Sequence, residues 1–196
     1  MKEKIKYLIV IIILLSLISC GKRNKLNKEN LNYIPYKENE TLVFKSDRDD
    51  LDTIFLTGLR RFNGCNDPLA FFPDDCEGYT LTCTKSDPNY DRYLEEKGLV
   101  EIVAVSGNRT LISFDITMKR SWFYNMESFT LEQFDSIPNN ELKIKNKIYS
   151  DVKVFEADGS YEQRDNYVER FYWSVSGGFL GLDRRDEKWR LIKKVE

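Results

Sequence analysis

The chain has 196 residues, 30 Lys and Arg against 32 Asp and Glu, 41% hydrophobic residues and no His. That length suits one domain able to bury a sizeable core. The mixed, slightly acidic balance lacks the clustered basic face that a nucleic acid partner needs, and the missing His removes the commonest metal ligand and the usual neutral-pH acid–base group, while leaving carboxylate, Lys or Tyr chemistry open.

The N-terminus opens with Lys2, Lys4 and Lys6, followed by an apolar run from Tyr7 to Ile18 broken only by Ser16. A charged start, a short apolar core and small Ser19 before Cys20 predict a cleaved secretory signal over residues 1–19. The competing reading is a short transmembrane anchor or a buried core helix. The run falls short of the ~20 apolar residues a spanning helix needs, and its flanks fit a signal better. Leu17-Ile18-Ser19-Cys20 resembles the lipobox of bacterial lipoproteins, in which Leu, a small or branched residue and a small residue precede Cys. The resemblance is confined to residues 1–21. It implies diacylglyceryl transfer to Cys20, cleavage before it and fatty acylation of the new amine. Two or three acyl chains anchor firmly, since each buried CH₂ contributes about 0.8 kcal/mol. Gly21 is not the Asp that holds such proteins in the inner membrane, so the resemblance points to the outer membrane. Lys22-Arg23-Asn24-Lys25 stands where some surface-exposed lipoproteins carry an acidic run, which points to the periplasmic face.

Residues 20–40, rich in Lys, Asn and Glu, read as the lipidated Cys and a flexible tether, with a binding arm as the alternative. From 41 to 196 the period is mostly two, which predicts a single β domain. Thr41 to Lys45 and Thr53 to Thr57 are strands around a polar turn, and Tyr79 to Thr84 alternates cleanly. Asp87 as N-cap, Pro88 behind it and Gly98 as a stop predict a helix over 88–97. Leu99 to Val105 and Thr110 to Met118 form a hairpin about Gly107-Asn108. Thr130 and Gln133 form a capping box, Phe129 and Phe134 are placed as its staple, and Pro138 ends that short helix. Leu142, Ile144, Ile148, Val152 and Val154 alternate, with a turn near Asn146-Lys147. Tyr167 to Val175, Phe179 to Asp183 and Trp189 to Val195 make a C-terminal meander with turns at Gly177-Gly178 and Arg185 to Glu187. The fold class is mainly all-β: one antiparallel meander sheet curved into a barrel or sandwich, with one or two short helices.

Three Cys remain besides Cys20. Cys65 and Cys76 bracket a loop and are expected to form a disulfide in an oxidising envelope, worth roughly 3 kcal/mol by loop entropy. Cys83, on the apolar face of its strand, is expected to stay unpaired. Three thiolates without C-x-x-C spacing or His argue against a metal site, although the acid-rich loop Asn63 to Glu77 leaves a Ca²⁺ reading open. Asp87 to Asp91 begins like a calcium loop, but Arg92 and Gly98 stand where Gly and Glu are required. Ser150-x-x-Lys153 matches a serine acyl-enzyme motif, yet on a strand residues three apart point to opposite faces. No nucleophile elbow or phosphate-binding Gly loop occurs, and no cofactor is expected.

Two features suggest a binding site. Glu169 falls in the alternation with Tyr167, Phe171, Trp173 and Val175, so it is either wet at a sheet edge or a polar group in a ligand pocket. Trp122, Phe123 and Tyr124 either plug one end of the sheet or form an exposed contact patch. Binding is favoured over catalysis. The chain is expected to be a membrane-anchored envelope module engaging a protein, a polymer or a small apolar ligand. A carboxylate enzyme acting on glycans and a carrier of an apolar ligand are the alternatives.

Overall fold

Alternation sets which side of each strand is dry. In β1 (Thr41–Ser46) Leu42 and Phe44 turn inward, in β2 (Leu51–Asn63) Ile54 and Leu56 do, and in β4 (Tyr93–Val105) and β5 (Arg109–Phe114) Val100, Ile102, Ala104, Ile112 and Phe114 do. The computed structural model describes residues 24–64, 76–87, 89–90, 92–105, 109–119, 121–123 and 128–195. The remaining elements are β3 (Glu77–Ser86), β6 (Thr117–Met118), β7 (Ser121–Trp122), β8 (Phe129–Thr130), the six-residue helix α1 (Leu131–Ser136), β9 (Asn140–Ile144), β10 (Lys147–Glu156), β11 (Val168–Ser174), β12 (Gly178–Arg184) and β13 (Lys188–Val195). A 3₁₀ turn covers Lys28–Tyr33.

Eleven strands form one antiparallel sheet in the order β8-β5-β4-β3-β2-β1-β13-β12-β11-β10-β9, and β6 pairs with β7 apart from it. The order is that of a meander whose first and last long strands, β1 and β13, pair with each other. The sheet curls into a half-barrel. Phe114 on β5 packs against Phe155 on β10 at 5.2 Å and against Phe171 and Trp173 on β11 at 5.5 and 4.7 Å, although these strands lie far apart in sheet order. The interior is filled with rings, Phe155 stacking on Phe171 at 4.5 Å.

Bulges bend the strands enough for this closure. They interrupt β2 at Leu56/Gly58, β11 at Val168/Arg170, and β12 at Phe179/Gly181 opposite Tyr172 and Trp173. Gly181 on β12 has φ +146°, and a Cβ there would collide with the Trp189 carbonyl of β13, so only glycine allows the two strands to approach. The gap between the edge strands β8 and β9 is spanned by α1. Its capping box is present in full: Thr130 Oγ1 accepts the Gln133 N–H while Gln133 Oε1 accepts the Thr130 N–H. Phe134 is its buried face. Lys153 Nζ donates to the Asp135 and Ile137 carbonyls at the helix end, tying α1 to β10.

Three sequence expectations change. Residues 93–97 are strand, not helix. The Asp87 carboxylate accepts the Asn89 N–H and pairs with Arg92 Nε, which closes a loop between paired Ser86 and Tyr93 instead of capping a helix. Residues 24–40, read as a flexible tether, lie along the domain. Asn24 bridges Cys76, Asn30 donates to Thr110, Tyr33 donates to Asp135, and the Tyr36 hydroxyl accepts the Phe179 N–H near the start of β12 at 2.6 Å. The few apolar side chains of the segment, with Ile34 buried, supply the contact. In β10 a register shift between Tyr149 and Val152 breaks the even alternation, so Ile148 faces solvent while Val152 and Phe155 face the core.

Candidate functional site: an aromatic cleft at one end of the sheet

The pairings set the ends of the half-barrel. The β1–β2 turn, the β3–β4 loop and the chain from β5 to β7 gather at one end, where Lys45 pairs with Leu51 and Ser86 with Tyr93. Two adjoining clefts open there. One, of about 310 Å³, is lined by Leu51, Asp52, Ser86, Tyr93 and Lys119; the other, of about 380 Å³, by Lys85, Asp115 and Trp122. Tyr90 and Arg92 stand between them and belong to both.

The rim is apolar and exposed. Leu51 is 58% exposed, Phe55 45%, Tyr90 66% and Tyr93 49%. Among the described residues only Ile148 and Tyr161 are other large hydrophobic side chains so exposed. The Phe55 and Tyr93 rings meet edge to face at 6.3 Å, and the Arg92 guanidinium covers the Tyr90 ring at 5.1 Å.

The floor is polar and internally paired. Asp52 is buried; its Oδ1 accepts the Thr53 N–H, and its Oδ2 accepts the Ser86 hydroxyl and the Lys119 N–H, both at 2.6 Å. Lys85 is buried too. Its ammonium donates to the Gly98 and Asp115 carbonyls at 2.9 and 2.7 Å and meets Asp115 Oδ2 at 3.0 Å, so all three donors have partners. Asp115 Oδ1 accepts the Thr117 hydroxyl. The Asn89 N–H, with the Arg92 guanidinium beside it, holds the Asp87 carboxyl below the usual aspartate range. Partial burial and the nearby Asp52 charge push the Tyr93 phenol up.

Of the residues singled out from sequence, Trp122 lines this cleft, and its backbone N–H donates to the Asn166 carbonyl. Phe123 does not serve as a contact residue: it is buried, with its ring against Phe171 at 4.8 Å. Tyr124 lies outside the described residues. Glu169 is half-exposed and away from the cleft. The bulge between Val168 and Arg170 inserts one residue, which takes Glu169 off the face it would share with Phe171 and Trp173. Ser150 is exposed while Lys153 is buried against α1, so the two do not meet. Cys83 is a free, buried thiol, pushed up to about 11 by burial. Cys76 is disulfide-bonded. Cys65 and Cys20 lie outside the described residues, as does most of the acid-rich loop after Asn63. Among the described residues no three Cys, Asp or Glu side chains converge as a metal site would require.

Sequence reasoning missed Leu51, Phe55, Tyr90 and Tyr93. One signal was available: Phe55 stands between inward Ile54 and Leu56, so alternation alone turns an aromatic ring to solvent. No protein-family model, curated protein or solved structure matches the chain.

Proposed function

We propose that this chain is a lipoprotein of the cell envelope, anchored through Cys20 to the outer membrane on its periplasmic face, and that it works by binding a partner protein or polymer at the aromatic cleft. The observation that carries the reading is the concentration of exposed Leu51, Phe55, Tyr90 and Tyr93 around a floor whose polar groups are already bonded to one another. Exposed apolar patches mark contact sites, and aromatic side chains supply most of the energy in such contacts. Glycan hydrolysis would need two carboxyls free to face each other across the bond, whereas Asp52, Asp87 and Asp115 are each engaged within the protein. An apolar carrier would need an empty interior, and here rings fill it.

The test is cross-linked capture from native envelope with the full chain and a Phe55→Ala/Tyr93→Ala variant. Capture should fall at least tenfold, with the melting temperature nearly unchanged because both rings are exposed. Undiminished capture would move the site elsewhere. Turnover of an envelope polymer by the purified protein, abolished by one Asp or Glu substitution, would replace binding with catalysis. The anchor is checked by metabolic labelling with an alkyne fatty acid: the wild-type chain should carry label and Cys20→Ala should not.

A further inference from the structure

A second surface lies at the opposite end of the half-barrel. The β9–β10 turn and the end of β13 enclose a groove of about 460 Å³ whose rim carries Lys145, Lys147, Lys193 and Lys194. Lys194 leans on Glu40 at 3.5 Å. Lys145, Lys147 and Lys193 make no ion pair among the described residues, and all three are exposed. Lys147 stands over the Tyr149 ring at 4.3 Å. Ile148, 56% exposed, projects from the same turn. Lys145 itself occupies a left-handed position, φ +53°, where Gly or Asn would be the unstrained choice. A bare lysine cluster edged by an exposed aliphatic side chain fits a surface that is anionic outside and apolar beneath.

The entry of the chain points the same way. Asn24 bridges Cys76 at the head of β3. The pairings put the head of β3 on the side of the sheet away from the β1–β2 turn: Thr41 and Val195 are level with Phe55 and Thr84, and Glu77 is level with Asn63, eight residues further along β2. Asn24 is four residues past Cys20, and four residues of chain span at most about 14 Å. An anchor at Cys20 therefore tethers the domain by the far end of the β2–β3 pair, on the side away from the β1–β2 and β3–β4 turns that frame the cleft.

We infer that Lys145, Lys147, Lys193 and Lys194 dock the domain onto anionic phospholipid headgroups of the membrane that carries the anchor, which turns the aromatic cleft away from the bilayer. This orientation rests on the anchored reading above. Docking adds orientation to an anchor that already holds firmly, and it presents the cleft to a partner at a fixed angle.

Amine footprinting tests it. The full lipidated chain is placed in vesicles of phosphatidylcholine, alone or mixed with phosphatidylglycerol. It is treated with a water-soluble acylating reagent and read residue by residue by mass spectrometry. Labelling of Lys145, Lys147 and Lys193 should drop several-fold in the mixed vesicles and return at high salt, while Lys97 and Lys119 at the cleft end keep their labelling. Equal labelling in both vesicle types overturns docking, even if the chain floats with neutral vesicles and so proves anchored. The Cys20→Ala chain separates the two ideas. It should bind mixed vesicles without an anchor and lose about a hundredfold in affinity on K145E/K147E/K193E, at about fivefold per lysine. No loss in that variant overturns docking whatever the anchor does. Protection by soluble polyphosphate equal to that by phosphatidylglycerol would make a free polyanion the occupant and overturn membrane docking.

Discussion

The Lys85–Asp115 pair under the cleft supports a prediction whose order of effects runs against intuition. Lys85 is 1% exposed and Asp115 34%. Removing the carboxylate with Asp115→Ala strands a buried ammonium with only the Gly98 and Asp115 carbonyls as partners. Breaking a buried pair costs about 3–5 kcal/mol when the remaining charge is uncompensated, and water entering at the part-exposed Asp115 site brings the expected loss to about 3 kcal/mol. Removing the cation with Lys85→Met leaves instead a carboxylate that water already reaches and fills the slot with a side chain of similar length. That should cost about 1–2 kcal/mol, chiefly the two orphaned carbonyls. The double variant should resemble Lys85→Met alone, giving a coupling of roughly 2 kcal/mol or more between the sites. Urea midpoints at constant m give these numbers, and about 3 kcal/mol corresponds to roughly 6–12 °C in melting temperature for a domain of this size. Lys85→Met more damaging than Asp115→Ala, or strict additivity in the double variant, would refute the argument from desolvation.

Two further predictions are independent of the cleft. Non-reducing peptide mapping should recover a Cys65–Cys76 peptide with Cys83 unpaired, and Cys83 should resist alkylation near neutral pH until the protein unfolds, because it is buried and its thiol is pushed up to about 11; a dominant Cys76–Cys83 peptide means that the pairing is wrong. Burial raises the Asp151 carboxyl, but hydrogen bonds from Ser174 and Ser176 outweigh it and hold the group below the usual aspartate range. Its contribution is therefore complete above the ordinary value of about 3.9 and is lost as pH falls through the lower folded value, so Asp151→Asn should flatten the acid limb of the stability curve, read by melting temperature against pH.

Features written in neighbouring residues were legible from the chain alone. The β11–β12–β13 meander, the hairpin that pairs Val105 with Arg109 and the Thr130–Gln133 capping box are each decided within a few residues, by alternation, turn chemistry or a side chain reaching its own backbone. The Asp87 segment shows where local information stops. An Asp followed by Pro starts a helix or a turn equally well, and only the pairing of Ser86 with Tyr93 selects the turn. Parity is lost in the same way after each bulge, which is why Glu169 and Ile148 face otherwise than a strict period of two requires. The cleft is the extreme case. Its floor joins Asp52, Ser86, Asp115 and Lys119 from separate strands and turns, and its rim joins Leu51 and Phe55 to Tyr90 and Tyr93. No spacing in the chain encodes that meeting, because it is the register and curl of the sheet, fixed by long-range packing around Phe114, that bring those residues to one end.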